Sequence, residues 1–99
     1  MPISGDRYEF TQSNVNGSPD APGVYELFDG YVTTYIGKAT VSIRSRLQSH
    51  YRGDDGRCTK LSTHYKREVT ATPAARERQL LNEYVAAHGR LPRCNEVMP

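Results

Sequence analysis

Two short runs rich in β-branched and aromatic residues, GVYELF over 23–28 and YVTTYI over 31–36, flank Asp29-Gly30. An Asp-Gly pair between two such runs is the strongest short-range signal for a β-hairpin, so the rest of the chain must be built around an antiparallel pair of strands. The hydrophobic pattern argues for a register. A two-residue Asp-Gly turn would pair Phe28 with Tyr31 and scatter the apolar side chains over both faces. A three-residue loop, Asp29 to Tyr31, pairs Phe28 with Val32, Val24 with Ile36 and Tyr25 with Tyr35, and collects Val24, Phe28, Val32 and Ile36 on one face. The second register is therefore expected, with the two tyrosines side by side away from the aliphatic face.

Helices follow the hairpin. Within residues 41–52, Ile43 and Leu47 lie four apart and form an apolar stripe, and Arg46 and His50, also four apart, share the neighbouring stripe. Gly53-Asp54-Asp55-Gly56 is a turn cluster, and residues 67–72 read as a strand. Pro73 opens a second helix over 74–88 that stops at Gly89, with Leu80, Leu81, Tyr84 and Val85 as its apolar face. Residues 1–22, rich in Ser, Asn, Gly, Pro and Asp, read as an irregular arm with at most a short strand at Tyr8 to Phe10. At 99 residues the chain has room for one core, so residues 23–99 are expected to form a single domain.

Charge is unevenly spread. Residues 1–37 carry a net −4, residues 38–67 carry eight cations against two carboxylates, and residues 68–99 balance. The basic middle third, interleaved with His50, Tyr51, His64 and Tyr65, suits a surface that tracks phosphates, and equally a solvated face. A mean hydropathy of −0.70 excludes a run long enough to span a membrane. The first six residues lack the basic and apolar regions of a secretory signal, so a cytoplasmic location is expected. In that compartment Cys58 and Cys94 are expected to stay unbridged, and no paired spacing marks them as zinc ligands.

Taken in order, Gly23-Val24-Tyr25, then Tyr35-Ile36-Gly37-Lys38-Ala39, then Ile43-Arg44-Ser45-Arg46-Leu47, resemble the GIY-YIG nuclease superfamily. Leu80-Leu81-Asn82-Glu83 looks like the acidic segment of the family's later helix, and Leu91-Pro92-Arg93-Cys94-Asn95 like its closing Pro-x-x-Asn. The twelve-residue step from Glu83 to Asn95 agrees with the family's excision-repair members. Three departures stand out. Val24 replaces an isoleucine, one extra residue falls between Ala39 and Ser42, and His50 stands where repair members carry a tyrosine. Arg46 with His50 is the Arg-x-x-x-His of homing and some restriction members.

The resemblance implies an α/β (α+β) fold, with a small central antiparallel three-stranded sheet, an N-terminal β-hairpin and flanking helices. It also implies a metal-dependent endonuclease that hydrolyses phosphodiester bonds in DNA. The chain shows no additional DNA-reading domain, so low intrinsic sequence specificity is expected. The implied catalytic set is Tyr25, Tyr35, Lys38, Arg46, His50, Glu83 and Asn95. Glu83, the one helical carboxylate in that set, would hold a single Mg²⁺ or Mn²⁺ with waters and phosphate. Arg46 would offer a rigid donor fork to the scissile phosphate. Tyr25 is favoured as base, with Tyr35 and His50 as the other candidates; Lys38 is the nearby cation that could favour a phenolate. Gly37, Lys38, Arg44, Arg46, Arg52 and Lys60 are the expected nucleic-acid contacts. DNA is the expected partner, with a protein partner or a homodimer possible and no membrane association. The competing readings are a non-catalytic nucleic-acid-binding module and a partner-dependent catalytic subunit of the same fold.

Overall fold

The computed structural model describes residues 1–96. Its elements in chain order are β1 (Tyr8–Glu9), α1 (Gln12–Asn16), β2 (Gly23–Asp29), β3 (Val32–Ala39), α2 (Ile43–Arg52), α3 (Arg57–Lys60), β4 (His64–Val69) and α4 (Pro73–His88). The four strands form one antiparallel sheet in the order β1-β4-β2-β3. The expected three-stranded sheet thus gains a fourth, two-residue strand from the N-terminal segment.

The hairpin forms in neither of the two registers weighed from sequence. Asp29 pairs with Val32 across a two-residue loop in which Gly30 takes the positive φ of 63° that such a turn demands. Phe28 then faces Thr33, but a bulge leaves Thr34 unpaired, and beyond it Leu27 faces Tyr35 and Tyr25 faces Gly37. The expected Tyr25–Tyr35, Val24–Ile36 and Phe28–Val32 pairs do not occur. Sorting the hairpin into one apolar face and one polar face fails because this sheet is covered on both sides. One face carries Tyr25, Leu27 and Tyr65 against Phe10, Val15 of α1, and Ile43 and Leu47 of α2. The other carries Val24 and Ile36 against Leu80 and Leu81 of α4 and Ile3. With apolar partners on both sides, alternation no longer reports which face is inside.

The helix signals hold up. The Ser42 side chain caps α2 by accepting from the Ser45 amide at 3.2 Å, and Pro73 opens α4, which ends at a left-handed Gly89. The third long strand starts earlier than expected, at His64 instead of 67, because pairing with β2 selects residues 64–69. Residues 1–22 are no loose arm: Ile3, Phe10 and Val15 are buried core residues, and α1 is capped by Thr11. No helix among the described residues is long and apolar enough to cross a membrane.

β3 is an edge strand, and its free edge is closed by the C-terminal segment. The Cys94 amide donates to the Thr34 carbonyl at 2.8 Å, and the Asn95 side chain both accepts from the Ile36 amide and donates to its carbonyl, each at 2.9 Å. A primary amide reproduces the donor and acceptor of one more strand residue, which is why an asparagine suits this edge.

Candidate active site

Both motif glycines are required by close approach. A Cβ at Gly23 would stand 2.2 Å from the Glu68 carbonyl oxygen, and one at Gly37 would stand 2.6 Å from the Tyr25 ring and hydroxyl and from the Tyr35 ring. Gly37 therefore lets two tyrosine rings pack over the strand, with centroids 6.1 Å apart. Gly37→Ala is expected to cost about 2–3 kcal/mol, because Tyr25 is fully buried and cannot swing aside. Chemical denaturation measures this, and an unchanged midpoint would mean that the rings yield freely.

α2 brings His50 onto these rings, 5.4 Å from Tyr25 and 5.1 Å from Tyr35 between centroids. The Tyr25 hydroxyl and His50 Nε2 are hydrogen-bonded at 2.8 Å, and His50 Nδ1 meets Thr59 Oγ1 of α3 at 2.9 Å. Arg46, one turn earlier on α2, reaches Asp55 at 3.5 Å, and the same carboxylate oxygen lies 3.6 Å from His50 Nδ1. Lys38 comes from β3 itself and Glu77 from α4. Tyr35, Lys38, Arg46, His50, Asp55, Glu77 and Asn95 all line one cleft of about 630 Å³.

Burial sets the electrostatics. It raises the Tyr25 hydroxyl above its ordinary pKa, reinforced by Tyr35 and opposed by the Arg46 guanidinium, and raises Tyr35 in the same way. Burial also raises Glu77, against the charge and amide of Lys38. Burial holds His50 down to about 4, with Asp55 opposing and Arg46 assisting, so the imidazole is neutral near pH 7. Asp55 itself lies below its usual value: burial opposes ionisation, but hydrogen bonding from Ser49 and the charge of Arg46 outweigh it.

The His50 shift has a stability consequence with a definite sign. An unfolded histidine takes up its proton near pH 6.5 and the folded one only near 4. This contribution is therefore complete above pH 6.5 and lost as pH falls through that window, on the order of 3 kcal/mol in all. Urea midpoints at pH 7 and pH 4.5 are expected to differ more for the native chain than for His50→Gln. Equal differences would remove His50 as the cause.

Several expected site residues fall elsewhere. Glu83 does not join the cleft: it pairs with the Met1 ammonium and lines a separate hollow with Glu26, Tyr84 and His88. The carboxylate that α4 does deliver is Glu77, 7% exposed, which sequence reasoning passed over. Glu77 stands eighteen residues before Asn95, where Glu83 stands twelve. Tyr25, the favoured base, is wholly buried behind the cleft, whereas Tyr35 lines it. Arg44 donates to the Ser18 carbonyl at 2.9 Å and is a structural tie, while Arg52 and Lys60 line a neighbouring hollow that meets the cleft at Arg57. Asp55, Arg57 and Thr59 were also missed. Asp55 lay in what read as a turn, and the four residues of α3 are too few to show a period.

The cysteines overturn a further expectation. Cys58 and Cys94 form a disulfide across 36 residues of sequence, and both line the cleft. Compartment and spacing argued against it, but folding brings the start of α3 beside the segment that closes the β3 edge.

No protein-family model matches the chain, and no curated protein does. Solved structures do. The magnesium-bound crystal structure of the GIY-YIG N-terminal endonuclease domain of UvrC from Thermotoga maritima is similar over 86% of this chain and 94% of that one, with 22% identity and a TM-score of 0.63. An asparagine-to-alanine variant of that domain, bound to its catalytic divalent cation, gives 20% identity, coverage of 87% and 94%, and a TM-score of 0.64. The chain has the GIY-YIG fold.

Proposed function

We propose that this chain is a divalent-metal-dependent endonuclease acting on DNA. The observation that carries this reading is the convergence, in one cleft, of a buried carboxylate, a lysine, an arginine, a tyrosine and a neutral histidine. Among the described residues no group of three or more His, Cys, Asp or Glu could hold a metal, so the donors suit neither a zinc site nor a carboxylate-bridged pair of ions. A lone carboxylate fits Mg²⁺ or Mn²⁺, which take one or two protein ligands and complete their shell with water and phosphate. Glu77 would hold the ion in place of Glu83. When bound, it would stabilise charge developing on the phosphoryl oxygens.

The chain's own residues do the rest. The Arg46 fork, held by Asp55, and Lys38 meet the scissile phosphate from two sides. Tyr35 is the hydroxyl at the cleft surface and positions the attacking water, while Tyr25, buried behind the cleft, is hydrogen-bonded to His50 in its wall. Asn95 pins the β3 edge and shapes the cleft wall. Arg57 joins the cleft to the hollow of Arg52 and Lys60, so the phosphate backbone leaves the site over α3.

The test is nicking of labelled single-stranded, duplex and branched DNA with Mg²⁺ or Mn²⁺, comparing the native chain with Glu77→Gln and Arg46→Ala. Metal-dependent cleavage lost in both variants is expected. Salt-sensitive binding without cleavage of any substrate would replace this reading with that of a binding module.

A further inference from the structure

His50 is 1% exposed, so both ring nitrogens must find partners inside the protein. They are the Tyr25 hydroxyl at Nε2 and Thr59 Oγ1 at Nδ1. A neutral imidazole carries one proton, which leaves two arrangements. Either Nδ1–H donates to Thr59 and Nε2 accepts from Tyr25, or every bond in the chain is reversed. Two neighbours decide between them. The Asp55 carboxylate oxygen, 3.6 Å from Nδ1, attracts the proton to that nitrogen. Arg46, the cation beside Tyr25, can only donate and so cannot take the Tyr25 proton, whereas His50 Nε2, 2.8 Å from the Tyr25 hydroxyl, can.

We infer that Thr59 is a positioning residue: it accepts the Nδ1 proton of His50, so that Nε2 takes the Tyr25 hydroxyl as donor and the Tyr25 oxygen faces Arg46 as an acceptor. Thr59 is held there by its neighbour. α3 has only four residues and no side-chain cap at its N-terminus, so little local structure fixes it. The Cys58–Cys94 bond ties it to the segment whose next residue, Asn95, is clamped to Ile36. The disulfide therefore sets the position of Thr59, and through Thr59 the direction of the hydrogen bonds beneath the cleft.

The consequence for catalysis rests on the nuclease reading; the tautomer does not. Long-range ¹⁵N–¹H correlation spectra of the histidine ring distinguish the two forms without metal or substrate. The native chain is expected to show His50 protonated at Nδ1. Thr59→Val, nearly the same shape, is expected to shift His50 toward the Nε2–H form or a mixture, and Thr59→Ser to retain the native signature. Reduction of the disulfide, or the Cys58→Ser, Cys94→Ser double variant, is expected to broaden or shift the signal as Thr59→Val does. A native chain protonated at Nε2, or a Thr59→Val spectrum identical to the native one in a protein of unchanged melting temperature, would overturn the assignment. Where cleavage is measurable, Thr59→Val is expected to lower kcat about tenfold with KM unchanged, and Thr59→Ser to restore it. Absence of cleavage in the native chain would bear on the nuclease reading alone.

Discussion

Replacing Glu77 by glutamine is expected to reduce Mg²⁺-dependent cleavage by about 10²-fold or more, while Glu83→Gln leaves it unchanged. The two residues share α4, but six positions correspond to a turn of about 120° around the helix and a rise of about 9 Å along it. One carboxylate thus enters the cleft beside Lys38 and the other faces the N-terminus. The Glu77 variant has a second signature. Burial raises its carboxyl pKa, which means that the folded state holds the charged form at a cost. The neutral isostere is expected to melt at the same temperature as the native chain or higher while losing activity, a trade between stability and function. Cleavage rates and melting curves of the two variants check this together. Activity surviving in Glu77→Gln and lost in Glu83→Gln would reverse the assignment.

Reducing the Cys58–Cys94 bond, or replacing both cysteines by serine, is expected to destabilise the chain by roughly 3–4 kcal/mol, the loop-closure entropy appropriate to a 36-residue separation. For a domain of this size that is a large share of a total stability of about 5–15 kcal/mol. Guanidinium midpoints with and without reductant measure the effect. The expectation fails if they coincide, which would mean that the reduced chain holds α3 and the C-terminal segment together unaided.

Much of the architecture was legible in the chain. Asp29-Gly30 between two β-rich runs, the Ile43/Leu47 stripe, and Pro73 and Gly89 at the ends of α4 are local signals, carried by residues a few positions apart. The motif glycines, tyrosines, Arg46 and His50 were singled out by their resemblance, in order and spacing, to the GIY-YIG motifs, and the structure gathers Tyr35, Lys38, Arg46, His50 and Asn95 around one cleft. The misses share a different cause. The hairpin register depends on a bulge at Thr34 and on helices covering both sheet faces, and neither is encoded by alternation within the hairpin itself.

Glu83 was singled out by the resemblance of its helix segment and its spacing to Asn95, and Glu77 was not considered. A helix carries carboxylates on several sides, and only the packing of α4 against β3 selects the one that enters the site. The disulfide and the Thr59–His50 contact depend on α3, a four-residue helix without periodicity. Local chemistry determined which elements form and which residue types could act at the site. The strand register, the carboxylate in the cleft and the partner of each histidine nitrogen were decided by contacts between residues distant in sequence, because these depend on how completed elements pack.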